Sequence, residues 1–94
     1  MSIVPMIKFG RTLTDRPDGQ KAFAAIVSEF KAPLTLDFKG VMSLGSSFGD
    51  EVVVKLAERQ GNRIAVLNIN DGVRACLKRV AEGTQIVVDL PGTP

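Results

Sequence analysis

Leu34-Thr35-Leu36-Asp37-Phe38, then Lys39-Gly40-Val41, then Gly45-Ser46-Ser47-Phe48-Gly49-Asp50-Glu51-Val52-Val53-Val54-Lys55-Leu56 read in succession as a strand, a loop and a helix. The first five residues alternate apolar and polar side chains, and Pro33 just before them closes the preceding segment. Gly40 and Gly45 bracket a loop with room for a short extended piece at Val41-Met42. Ser46 or Ser47 stands where a helix N-cap belongs, and Asp50, three residues after Ser47, takes the place a capping box gives to Glu. Phe48, Val52, Val53 and Leu56 recur at helical spacing as an inward face. Glu51 and Lys55 have the spacing of a favourable i,i+4 pair. Val54 falls with Asp50, Glu51 and Glu58 on the outward side of a helix expected over 46–60, which Gly61-Asn62 ends.

Upstream of this unit, Ile3 to Phe9 is an apolar run with Pro5 inside it, which predicts an edge strand. A polar stretch from Gly10 to Gly19 leads, with Pro17 near the first helical position, into a helix over 17–31. Phe23, Ile26, Val27 and Phe30 are its inward residues. Downstream, Ile64 to Ile69 is nearly all apolar, as expected of a central strand covered on both faces. Asn70-Asp71 caps a third helix over 71–82, with Val73, Cys76, Leu77 and Val80 inward and Gly83 behind it. Gln85 to Leu90 is the last strand, and 91–94 is a tail.

The pattern is β-α-β-α-β-α-β with short connections. It predicts an α/β class: a single small domain over residues 1–94, with a four-stranded mostly parallel or mixed sheet packed with about three helices. If the strands are parallel, three polar clusters gather beyond their carboxyl ends, where open α/β sheets carry their working surface. They are Arg11 to Asp18, the stretch from Asp37 to Asp50, and Asn68-Ile69-Asn70-Asp71.

Composition narrows the function. With 94 residues there is room for one domain, and 45% hydrophobic residues suffice for a core. The N-terminus lacks the basic and apolar regions of a secretory leader, and no apolar stretch approaches a membrane span. A single cysteine, Cys76, agrees with a reducing, cytoplasmic compartment. The chain has no histidine, which removes the commonest general base, the usual catalytic triads and most zinc sites. The net charge of +2 is spread along the chain without a basic run. No metal, cofactor or nucleic acid is expected, and binding of a protein partner is favoured over catalysis.

Leu36-Asp37-Phe38-Lys39-Gly40-Val41, Ser46-Ser47-Phe48-Gly49-Asp50-Glu51 and Asn68-Ile69-Asn70, with the Thr14-Asp15-Arg16 turn, resemble the STAS-like family over roughly residues 7 to 83. That family is similar to the STAS domains of bacterial anti-anti-sigma factors. In those proteins a serine at the start of the second helix is a switch: unmodified, the domain binds an ATP-using anti-sigma kinase, and phosphorylation dissociates the complex. They carry Asp-Ser-Ser-Gly-Leu-Gly where this chain has Gly45-Ser46-Ser47-Phe48-Gly49-Asp50. Ser46 matches the switch serine by position and Ser47 its neighbour, while Gly45 replaces the Asp and Phe48 the Gly.

The resemblance implies an ATP-binding anti-sigma or histidine-kinase-like partner, with Ser46 and Ser47 as phosphorylation candidates. Arg16, Asp50, Glu51, Val54, Asn68 and Asn70 are the expected partner-binding residues. A phosphate there would meet the positive helix end but also Asp50 and Glu51, with Arg16 the nearest compensating cation. The runner-up is a constitutive binding module without a phosphoswitch. A small enzyme using Asp37, Asp50 or Glu51, or a nucleic-acid module using Arg63, Arg74, Lys78 and Arg79, competes less well.

Overall fold

A computed structural model describes residues 1–91; the expected tail beyond Pro91 lies outside the described residues. Four strands form one wholly parallel sheet in the order β1 (Ser2–Pro5), β3 (Leu34–Asp37), β5 (Arg63–Leu67), β6 (Val87–Asp89). A second, two-stranded parallel ladder joins β2 (Thr12–Leu13) to β4 (Ser43–Leu44). The expected α/β class and mostly parallel four-stranded sheet are what the chain adopts.

Strands that follow one another in both sequence and space, joined by right-handed crossovers, place every helix on the same side of the sheet. Burial bears this out. Val4, Leu36, Ile64 and Val66 point under the helices and are buried, while Ile3 and Val87, at alternate positions, are exposed. The expectation that the central strand is covered on both faces is therefore corrected: only one face is. Ala65 and Leu67 are accessible on the bare side because the sheet order never doubles back, so no crossover returns on that face.

The helices are α1 (Arg16–Glu29), a composite helix and α4 (Asp71–Ala81). The composite runs as α2 (Ser46–Gly49), a π-helical turn (Asp50–Val54) and α3 (Lys55–Glu58) without a break in hydrogen bonding direction. Phe48, Val52, Val53 and Leu56 fill the space between the sheet, Ile26 of α1 and Val73, Leu77 and Val80 of α4. Cys76 is buried in the same layer, and burial pushes its thiol pKa up.

Several boundaries differ from the sequence reading. The apolar run Ile3 to Phe9 is strand only as far as Pro5; Met6–Phe9 is a 3-10 turn that drops Met6 fully into the core. The short extended piece lies at Ser43–Leu44 instead of Val41-Met42, because the backbone carbonyl of Arg11 accepts from the Met42 and Ser43 N–H groups and sets the ladder there. Val27 is exposed, and Phe23 and Phe30 are half-buried, since α1 lies at the margin of the helical layer.

Candidate functional site

The three polar clusters expected at the carboxyl edge of the sheet do meet. The Gly45 N–H donates to the Leu13 carbonyl at 2.8 Å, and the Asn70 side-chain amide donates to the Met42 carbonyl at 3.0 Å. The loop between β3 and the composite helix is thus held by the β2 segment on one side and by the start of α4 on the other.

Each helix begins at this loop system in its own way. Asp15 caps α1, accepting from the Asp18 N–H at 2.8 Å, and Asn70 caps α4, accepting from the Val73 N–H at 2.8 Å. The composite helix is different. Its N-cap is Gly45, with extended backbone and no side-chain cap, and Ser46 and Ser47 are the first two helical residues. The expectation that one of the serines caps the helix is corrected. A Cβ at Gly45 would stand 3.0 Å from the Cα and the carbonyl oxygen of Thr14, a tight approach that glycine relieves at the cap position. Asp50 likewise makes no capping-box bond to Ser47; its carboxylate faces Arg16 at 3.7 Å. Ser46 is exposed and Ser47 half-buried, and neither hydroxyl is engaged in a hydrogen bond within the described residues.

One turn further on lies an ion cluster around a buried carboxylate. Arg16 donates to Oε2 of Glu51, and Lys55 Nζ donates to Oε1 at 2.6 Å. Glu51 is 6% exposed, so the expectation of an outward carboxylate is corrected. Val54 is also corrected: it is half-buried and packs on the core. Glu51 stands three residues after Phe48, on the same helix face, and the π turn from Asp50 to Val54 widens the buried side to take in Val54 as well. Asp50 and Glu58 do remain exposed, and the i,i+4 pairing of Glu51 with Lys55 is present.

The hydrogen bond from Lys55, followed by that from Arg16, holds the Glu51 carboxyl below its ordinary range. The two helices touch at this point. A Cβ on Gly19 of α1 would lie 2.9 Å from Cβ of Glu51 and 3.2 Å from Cα of Phe48, so only glycine lets Arg16 reach the cluster. Sequence reading missed Gly19, for which a lone glycine in a helix is a weak signal. It also missed the π turn, for which the run Val52-Val53-Val54 of β-branched residues is the one cue.

Asn68 and Asn70, both expected to face a partner, have structural bonds. Asn68 sits at φ 57° and its amide donates to Oδ1 of Asp37 at 2.9 Å. This bond, more than the Lys39 backbone N–H at 3.0 Å, lowers the Asp37 pKa. Asn70 spends its oxygen on Val73 and its nitrogen on Met42. Of the expected site residues, the structure therefore groups Arg16, Asp50 and Glu51 behind Ser46 and Ser47. Asn68 and Asn70 fasten the neighbouring loops. Among the described residues no helix is long and apolar enough to cross a membrane.

A family model described as a STAS-like domain of unknown function (DUF4325) matches residues 18–74, more than half of the chain. No curated protein and no solved structure matches it. The match begins in the first turn of α1, passes through β3, the uncapped serine junction, the π turn and β5, and ends early in α4. It leaves Thr14 and Arg16 just outside. By that match, and by the parallel sheet and helical layer that carry it, the chain belongs to the STAS-like domain family.

Proposed function

We propose that this domain is a regulatory protein-binding module of the anti-anti-sigma type, acting by association and not by catalysis. It docks on an ATP-binding anti-sigma or histidine-kinase-like protein through the junction of Gly45 with the composite helix. Ser46 is its regulated position. The observation that carries this reading is that Ser46 lies exposed at a helix start with its hydroxyl free of any capping duty. A hydroxyl that does not hold the fold is open to a partner, and modifying it leaves the packing alone. The buried free thiol of Cys76 suits a cytoplasmic setting.

A second reading has an observation of its own. Arg16, the cation nearest the junction, is already engaged by Glu51 and Asp50, so a phosphate would compete with two carboxylates for it. That favours a constitutive binding module in which the serine contacts the partner without being modified. Incubation with ATP and the kinase-type partner, followed by mass spectrometry of the peptide containing Ser46 and Ser47, separates the two. The switch predicts a phosphate on Ser46, and complex formation without any phosphate leaves the constitutive module.

A further inference from the structure

The edge of the sheet at β6 has an unpaired side next to an apolar groove. Strand β6 pairs with β5 alone among the described residues, so its other edge is open. The Val87 N–H donates to the Asn62 carbonyl at 2.8 Å, toward β5. Alternation along a parallel strand then turns the N–H and carbonyl of Val88 to the open edge, where they want a strand as partner. Beside that edge is a groove of about 310 Å³ between α4 and β6, with Leu77, Ala81, Val88 and Leu90 as its apolar walls. Leu77 is fully buried, while Ala81, Val88 and Leu90 are only partly covered.

The rim of the groove is charged in order. Arg74 and Lys78 stand four residues apart on α4 and Glu82 is its extended C-cap; Lys78 and Glu82 line the groove itself, with Arg74 one turn beyond it. None of the three is in an ion pair among the described residues. Four helical residues rise about 6 Å and two strand residues about 6.8 Å. Side chains on one face of a strand laid along β6 therefore keep step with this row.

We infer that the β6 edge and the α4 groove together bind an extended acidic segment of a partner protein. The segment adds as a fifth strand beside β6. It places one apolar side chain between Ala81 and Leu90, and acidic side chains two and four residues away against Lys78 and Arg74. Strand addition of this kind takes its affinity from main-chain hydrogen bonds and its selectivity from alternate side chains. This surface does not depend on Ser46 or on the reading given to it.

The test uses the whole chain and a synthetic peptide, Glu-Thr-Glu-Thr-Leu-Thr-Glu-Thr-Glu, palindromic so that both strand directions are offered. Titration followed by amide NMR is expected to saturate, with the largest shifts at Val88 and along Leu77 to Ala81. A peptide with lysine in place of every glutamate, or with proline flanking the leucine, is expected to bind at least tenfold more weakly. So is the acidic peptide to Lys78→Glu, whose exposed position leaves the fold intact, as an unchanged thermal melt would verify. Absence of saturable binding, equal binding of the lysine peptide, or shifts centred away from β6 would overturn the inference.

Discussion

Two helices leave the same loop system in opposite fashion. At the start of α4, Asn70 uses its oxygen on the Val73 N–H and its nitrogen on the Met42 carbonyl, so nothing polar is left over. At the start of the composite helix Gly45 has no side chain to offer, and the serines that follow stand inside the helix with free hydroxyls. The first junction is a fastening. The second is fastened by other means: the Gly45 backbone bonded to Leu13, the Arg16 and Lys55 bonds to Glu51, and Phe48 sunk in the core. A junction held from behind leaves its serine hydroxyls without a structural duty.

If Phe48 and the ion cluster hold the second junction, breaking them should matter most. Phe48 is fully buried, so Phe48→Ala is expected to cost about 3–5 kcal/mol in chemical denaturation. A loss below about 1 kcal/mol would mean the helix is held by something else. Acid tests the second support. The Glu51 carboxylate is paired in the fold, so its folded pKa lies below the ordinary 4.5. As pH falls the unfolded chain takes up the proton first. The stability from Glu51 is thus complete above pH 4.5 and is lost as pH drops through its lowered folded value. Asp37, lowered from 3.8 by Asn68, adds the same trend at still lower pH. Glu51→Gln should flatten the acid limb of a denaturation midpoint plotted against pH, and an unchanged limb would show that the cluster contributes nothing there.

The caps give the smaller and sharper contrast. Asn70→Ala removes a working cap and is expected to cost about 1 kcal/mol, within the range of roughly 0.5–2 for such losses. Ser46→Ala removes no bond and should fall within about 0.5 kcal/mol of the parent. Equal losses from the two substitutions, read from urea midpoints at constant slope, would erase the distinction between the junctions.

The sequence shows the fastened junction more clearly than the free one. Asn70 followed by an apolar helical period is a cap signal, and it caps; Phe48, Val73, Leu77 and Val80 are placed inward by the same period, and they are inward. The order of elements and the parallel sheet follow from the alternation of short strands and helices. Three features were not legible. The turn at Met6 is set by the core that Met6 fills, which is a tertiary effect. The inward Glu51, three residues after Phe48, is a carboxylate that composition assigns outward but Arg16 and Lys55 allow inside, and half-buried Val54 lies in a π turn that no period records. Ser46 and Ser47 look like caps because serine usually is one. The helix start is instead one position earlier, at Gly45, whose backbone N–H is held by the Leu13 carbonyl, a bond between residues far apart in the chain.

The affinity of the proposed kinase-type partner for Ser46→Ala and Ser46→Asp, measured side by side by calorimetric titration, tests the free junction most directly. Both variants should fold like the parent, since the hydroxyl holds nothing. Ser46→Ala is expected to bind close to the parent, and Ser46→Asp at least tenfold more weakly, about 1.4 kcal/mol, because the added charge meets a surface shaped for a hydroxyl. Equal affinities for the two variants would contradict the placement of Ser46 at the regulated interface.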